Sequence, residues 1–528
     1  MRISRKRGLL PLVAALATST PLYAATANTA GTAAERPNIL LCISDDQSWA
    51  HASAYGVTGL ARTPTFDRLA KAGALFTHGF VTAPSCSPSR ASLLTGRYIW
   101  QNEEAGVHGS IFPAKFPLFT LLLKANGYQL GSSVKVWGPG NYRLGGPNVA
   151  RTQGGIEEGL GGNLVGGKAI RRGPEQFRKF LEKSAEKPFF FWFGSTDPHR
   201  NYDTAERKAA WGEREATAKD VPPFLPDIPE FREDLANYGF EIERFDKEVG
   251  ELLEVLRETG RDRNTIVIVT SDNGMPWPRA KRECYEYGIH VPLAMSWPAK
   301  MPAGRVIDDF ISLADLGPTL LEAADVPIPK TMSGRSFLEV LKSERGGLVD
   351  PSRTWVVAGK ERHNPARAGN ACYPVRAIRT DPYLLIWNLK PNRWPVGPSY
   401  GDIGWYYYPA IFSGIKNGTE TRPGVMEAFR KGTEKRPEFE LYNIKKDPGC
   451  LENLAGRPEV ASVQQELSTR LKALLEAQGD PRMFGRGDCF DNSPWVNKLS
   501  GEAANPAPPE EGLSQMKFDH SQDREWIY

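Results

Sequence analysis

The 528-residue sequence is poor in the side chains that soft metals favour: its six cysteines and seven histidines form no cluster at metal-ligand spacing. A zinc centre of thiolates and imidazoles is therefore excluded as the organising feature. Long apolar runs are scarce too. The longest, residues 8–18, follows Arg2, Arg5, Lys6 and Arg7 and precedes Leu22-Tyr23-Ala24-Ala25, the layout of a secretory signal peptide (1–24) cleaved near Ala24. It is too short to span a bilayer and no later stretch exceeds it, so no membrane-spanning helix is expected. No cysteine adjoins the cleavage point, which argues against a lipid anchor, so the mature protein is expected to be soluble and periplasmic or secreted, without a stable membrane anchor. An excess of one charge is also lacking. The formal +4 is matched by the four basic residues of the leader, so the mature chain is nearly neutral and is not built to coat nucleic acid; any attraction for an anionic ligand must be local. There is no internal repeat. In an oxidising compartment six cysteines permit disulfides, and Cys450 with Cys489 is the pair to examine first, although spacing alone assigns no partners.

What the sequence does contain is most concentrated at Cys86-Ser87-Pro88-Ser89-Arg90, continuing Ala91-Ser92-Leu93-Leu94-Thr95-Gly96-Arg97. Pro88 lacks an amide hydrogen and has a fixed φ suited to a first helical position, so a helix is expected over 89–94 with Cys86 just before it. Unpaired amides, the helix dipole and Arg90 would all favour an anion there, which predicts an ionised, reactive thiol. The alternative is a buried, inert cysteine.

Three apolar runs read as strands buried in a central sheet, and each leads into polar residues. Residues 38–44 run into Asp45-Asp46; 188–193 lead to Asp197-Pro198-His199-Arg200; 265–270 run into Ser271-Asp272-Asn273-Gly274. A further stretch, 128–136, is strand-like and contains Lys135. In open α/β sheets ligands collect outside the C-terminal ends of strands. His199 is the general-acid candidate because it follows such an end and imidazole titrates near working pH. Helices are expected at 65–72, 119–126, 175–186, 235–259 and 312–323. Glycine-rich 154–173, with Lys168, Arg171 and Arg172, reads as a lid or as surface padding. Beyond about Trp355 the strands shorten. Residues 377–380 and 383–387 flank Asp381-Pro382 as a hairpin, and 439–442 and the helix 460–477 complete a smaller α+β unit.

The twelve residues from Cys86 to Arg97 resemble the signature of the formylglycine-dependent sulfatases, members of the alkaline phosphatase-like superfamily. The resemblance extends over nearly all the mature chain. It implies an α/β fold with a large mixed sheet flanked by helices and a smaller C-terminal α+β subdomain. The implied organisation is a linker (25–35), a catalytic domain (36–350), the C-terminal subdomain (351–480) and a tail (481–528). It implies that a maturation enzyme oxidises Cys86 to formylglycine (3-oxoalanine), leaving five cysteines and hence at least one unpaired thiol. One hydroxyl of the hydrated aldehyde would attack sulfur, and the other would collapse to a carbonyl and expel sulfate. Asp45, Asp46, Asp272 and Asn273, with the diol of residue 86, would form an oxygen cage for Ca2+. Arg90 belongs to the motif, and Lys135 and Lys281 would hold the sulfate. Two positions depart from the family pattern. Trp137 stands where a histidine follows Lys135 by two residues, and His290 replaces an arginine in Lys281-Arg282-Glu283-Cys284-Tyr285-Glu286-Tyr287-Gly288-Ile289-His290. Trp137 can stack on a sugar face or fill a core gap.

Within the family, Asp197-Pro198-His199-Arg200, Ser271 to Pro278, Tyr373-Pro374-Val375-Arg376 and Glu440-Leu441-Tyr442 look most like the N-sulfoglucosamine sulfohydrolases and bacterial polysaccharide sulfatases. The substrate implied is a sulfated carbohydrate, cleaved at a sulfate ester or a sulfamate. Arg200, His363, Arg367, Arg376 and Trp137 are then subsite candidates, since arginine's planar fork suits a uronate carboxylate or a second sulfate. The rival readings are a phosphonate or phosphodiester hydrolase sharing the fold and metal acids, and a glycan-binding relative that has lost catalysis.

Overall fold

The computed structural model describes residues 36–135, 137–145, 173–184, 187–212, 214–397 and 409–496. The expected leader and linker, the stretch 154–172 and the tail beyond 496 lie outside the described residues.

Two sheets carry the fold. The larger has seven strands in the order β4 (Gln129–Val134), β5 (Phe189–Gly194), β1 (Asn38–Ser44), β6 (Thr265–Ser271), β7 (Leu293–Ser296), β2 (Ala74–Phe76) and β8 (Arg305–Ile307). The first four run parallel; β7 is antiparallel to both of its neighbours, so the sheet is mixed. A short parallel pair, β3 (Gly79–Phe80) and β9 (Ile311–Ser312), sits apart from it. The smaller sheet is antiparallel throughout, β10 (Trp355–Lys360), β11 (Val375–Thr380), β12 (Tyr383–Asn388) and β13 (Phe439–Asn443), with Asp381-Pro382 at the expected hairpin. This is the mixed α/β architecture with a smaller C-terminal α+β subdomain that the resemblance implied.

The continuous apolar run of β1 follows from its place at the centre of the sheet. Ile39, Leu41 and Ile43 enter the layer that holds Phe119 and Phe190, while Leu40 and Cys42 enter the opposite layer with Phe245 and Val249. Each fully buried aliphatic side chain contributes about 1.5–3 kcal/mol, so a strand covered on both faces has no reason to alternate with polar residues. The second layer is supplied by the 30-residue helix Pro229–Glu258. Proline opens it, and Phe231, Leu235, Tyr238, Ile242, Phe245, Val249, Leu252 and Leu256 recur along its buried side at helical spacing. It begins six residues before the start expected from the sequence, because its first turns cover a separate apolar cluster around Trp277 and Tyr287.

The small sheet packs on the helix Ala461–Ala477 through Leu467, Leu471 and Leu475. The beginning of the tail wraps back over this cluster, where Phe490 is fully buried. Two sequence expectations are corrected here. All six cysteines are free, and Cys450 and Cys489 fall in different cores, one shared by the large sheet and one face of the small sheet, the other on the small sheet's opposite face. Arg376 is not a subsite residue: it is wholly buried, its guanidinium donating to Asp480 at 2.6 Å and Glu361 at 2.8 Å above the Trp100 ring. Glu361 is shared with Arg482, and Arg482 also reaches Asp491 at 3.1 Å, so the tail is tied to β11 by a buried ionic network.

Removing one partner of a buried ion pair leaves the other charge uncompensated. Arg376→Met is therefore expected to destabilise the protein by about 3–5 kcal/mol, read as a lowered urea midpoint; an unchanged midpoint would contradict this account of the network.

Candidate active site

The four adjacent parallel strands all discharge polar residues at their C-terminal ends, on one side of the sheet. β4 leads into Lys135, β5 into Asp197 and His199, β1 into Asp45 and Asp46, and β6 into Asp272 and Asn273. The register aligns these ends: Ser44 pairs with Ser271, Ile43 with Gly194, and Val134 with Gly194. Asp46 adopts a left-handed backbone, φ 75°, unusual for a residue with a Cβ and characteristic of a carboxylate aimed by its surroundings.

Asp45, Asp46 and Asp272 can each offer an oxygen within 4.8 Å of the others, and all three are buried. Three cations meet them. Arg90 Nε lies 2.8 Å from Asp272, Lys281 Nζ 2.6 Å from Asp46, and Lys135 Nζ 2.5 Å from Asp45. Burial alone would raise the Asp45 pKa, but Lys135 and His199 outweigh it and hold the carboxyl below its usual range. At Asp272 burial prevails over Arg90 and pushes the pKa up. Asn273 donates through Nδ2 to Asp46 at 2.8 Å, which turns its amide oxygen the other way. That oxygen and Asp45 Oδ1 are buried acceptors with no hydrogen-bond partner. Oxygen donors from three carboxylates and an amide, two of them unpaired and dry, fit a hard divalent cation and not a soft one.

The helix carrying the cysteine motif is Cys86–Thr95, so Cys86 is its first residue, and Pro88 the third, not the first. Arg90, one turn on, is wholly buried against Asp272, and the loop after β4 passes so close that a Cβ on Gly138 would stand 3.0 Å from Arg90 Cδ. The thiol is not poised as an anion. Burial raises the Cys86 pKa above the ordinary value despite Lys135 and Lys281 nearby. The same two lysines, with Asp272 and Asp45, are the charges that act on Cys86. Residue 86 is thus within electrostatic reach of the acid cluster, and its helix is tied to that cluster by Arg90.

A residue outside every motif completes this group. His108 places Nε2 3.5 Å from Cys86 Sγ. Its ring stacks on His363 with centroids 3.9 Å apart, and His363 Nδ1 lies 2.6 Å from Ser85 Oγ. Nothing in the surrounding Gly106-Val107-His108-Gly109 marks it; only an inventory of all seven histidines would have raised it.

The segment after β6 brings Lys281 back to Asp46. Gly288 permits its tight fold, since a Cβ there would come within 2.2 Å of the Ala280 and Glu283 carbonyl oxygens. Tyr285 and Glu286 anchor it to the small sheet: the Tyr285 hydroxyl donates to Glu440 at 2.8 Å, and Arg379 donates to Glu286 at 2.7 Å. Burial would raise the Glu286 pKa, but Arg379 and His290 bring it down to about 2. His290 is thereby explained. It sits in the core, 2.9 Å from Glu286 and stacked on Trp49 at 4.3 Å.

His199 is partly exposed at the rim, with Nδ1 2.5 Å from the Arg200 carbonyl and Nε2 3.8 Å from Asp46. Burial and Lys281 lower its pKa. Three subsite expectations fail. Trp137 is a core residue, in edge contact with Phe112 and Tyr142 and donating its indole N–H to Gly140 at 2.8 Å. Arg200 is bound in a bidentate pair with Asp234 and lies over Tyr202 and Trp277. Arg367 is buried and holds loop carbonyls, donating to Ala371 at 3.0 Å and Trp394 at 3.2 Å. His363 does reach the site, through Ser85 and His108.

This arrangement can be set beside known proteins. Residues 37–326 match the sulfatase family, and residues 278–394 match the C-terminal region of N-sulphoglucosamine sulphohydrolase. The human N-sulphoglucosamine sulphohydrolase is 31% identical over 478 residues, covering 84% of this chain and 91% of that protein. An ulvan-active sulfatase of Formosa agariphila is 25% identical, covering 91% of this chain and 80% of its own length. Among solved structures, BT4656 in complex with D-glucosamine-2-N,6-O-disulfate superimposes with a TM-score of 0.62 at 20% identity, over 84% of this chain and 98% of that one, a likeness of fold. With strand-end acids, motif helix and both matches in agreement, this chain belongs to the sulfatase family of sulfuric ester hydrolases.

Proposed function

We propose that this chain is a secreted or periplasmic sulfatase that removes sulfate, as ester or sulfamate, from a sulfated polysaccharide or its oligosaccharides. The observation that carries the reading is the gathering of Asp45, Asp46, Asp272, Asn273 and Lys135 at the ends of four parallel strands, with Lys281 paired to Asp46 and the helix that begins at residue 86 bound to Asp272 through Arg90. The leader-like N terminus and the named substrates of the relatives support the compartment and the substrate class.

Asp45, Asp46, Asp272 and Asn273 would hold Ca2+, which would supply Lewis-acid charge to the reaction. Cys86, once converted to formylglycine by a maturation enzyme, supplies a hydroxyl nucleophile that can be regenerated without a second attack at sulfur. The chain's own residues do the rest. Arg90 orients Asp272, while Lys135 and Lys281 stand where charge develops on the sulfuryl oxygens. His199, with Nδ1–H tied to the Arg200 carbonyl, faces the cluster through Nε2. A lowered pKa makes its imidazolium a strong donor to the departing oxygen or nitrogen, at the expense of the protonated population.

Four outcomes test this. Cys86→Ala should lower sulfate release by at least ~10³-fold while leaving the fold intact by circular dichroism. In the parent protein the mass of the peptide spanning residue 86 should be that of formylglycine; unmodified cysteine in natively matured, active protein would sink the mechanism. Chelation should remove activity and lower the melting temperature together, and Ca2+ at 100 times its Kd should restore about 2.7 kcal/mol of stability. Asp45→Asn should blunt that calcium-dependent shift, read by calorimetry; a chelated protein as stable and active as before would exclude a resident cation.

A further inference from the structure

The family pattern has a histidine two residues after the lysine of β4's exit, and this chain has Trp137 there, turned into the core. No imidazole reaches residue 86 from that position. One reaches it from another. His108 is the hydrogen-bond partner of Cys86 Sγ among the described residues, at 3.5 Å through Nε2.

His108 is held on several sides. Its backbone N–H donates to Arg362 O at 3.2 Å, its ring lies flat on His363, and Trp495 approaches at 5.8 Å between centroids. Gly109, at φ 68°, lets Trp495 close in, since a Cβ there would lie 2.5 Å from the indole. The other ring nitrogen, Nδ1, is 3.2 Å from the His363 carbonyl oxygen. A carbonyl only accepts, so Nδ1 carries the hydrogen, and the neutral ring presents the Nε2 lone pair to residue 86. The charged neighbours do not offer that. Lys135, Lys281 and Arg90 are donors, and Asp45, Asp46 and Asp272 are paired with them, the free Asp45 Oδ1 being an oxygen the cation would take.

We propose that His108 is the catalytic base that frees sulfate from residue 86, in place of the histidine that Trp137 displaced. The inference rests on the formylglycine reading above. Once sulfate is carried on one oxygen of residue 86, the proton of the remaining hydroxyl passes to His108 Nε2. The electron pair of that O–H bond forms the carbonyl, and the C–O bond to sulfate breaks with its pair leaving on sulfate. Water then rehydrates the aldehyde, and the imidazolium returns its proton to solvent.

The test uses the full matured chain, an aryl sulfate and mass analysis of the residue-86 peptide quenched during turnover. His108→Ala, and His108→Gln, which fills similar space without a basic nitrogen, should release about one equivalent of phenol per site in a burst and then slow by ~10²–10⁴-fold. Their residue-86 peptide should carry the added mass of SO3, which the parent's should not. Slowed turnover with no such adduct would overturn the inference and make His108 a substrate-binding or structural residue, as would parent-like turnover. If either variant unfolds, the other decides. Failure of the underlying reading looks different: the parent itself would then lack formylglycine or hydrolyse no aryl sulfate.

Discussion

Asp45, Asp46 and Asp272 are buried carboxylates close enough to share one ion, and their mutual repulsion in a dry environment must be met for the fold to close. The three cations that meet it come from three different places: Lys135 from a strand end, Arg90 from the first turns of a helix, and Lys281 from a loop. Each ion pair therefore fixes an element as well as a charge. Arg90 locks the helix beginning at Cys86 onto β6, and Lys281 closes the segment after β6 over β1. The geometry of residue 86 is a consequence of that balance.

The small sheet takes part in the same arrangement. Glu283, Glu440 and Glu286 receive Lys360, Tyr285 and Arg379, so the Lys281 segment is clamped between the two sheets. His290 belongs to this clamp: paired with Glu286 and stacked on Trp49 and Phe80, it fills the place of the family's arginine with a core residue. Trp137 is a second departure taken up by packing, against Phe112 and Tyr142. Both odd residues are thus structural, and the chemistry they leave open falls to side chains from elsewhere in the chain.

Much of the site was legible because it is local. A strand covered on both faces must be continuously apolar, and the acid or amide that ends the run marks the strand's C-terminal edge, as at Asp45, Asp46, Asp272 and Asn273. The motif helix and the hairpin at Asp381-Pro382 are local in the same sense, although the helix starts at Cys86 itself. The arginines are ambiguous in sequence because a guanidinium that binds a uronate and one that binds a buried aspartate look alike there. Arg376 lies on β11 and its partner Asp480 is 104 residues away; Arg200 meets Asp234 across 34. The predicted ionised thiol failed for a related reason. A helix start and an arginine argue for an anion, but burial, invisible in the sequence, raises the Cys86 pKa.

The sequence by itself determined the α/β class, the strand-end acids, the cysteine motif and the family, because backbone periodicity and contiguous motifs act over short range. Tertiary structure alone decided that Arg376 and Arg367 are structural, that Trp137 is core, that the cysteines stay apart and that His108 touches residue 86. Those outcomes depend on which distant segments share a dry volume, and the pairing of charges across such a volume leaves no periodicity along the chain.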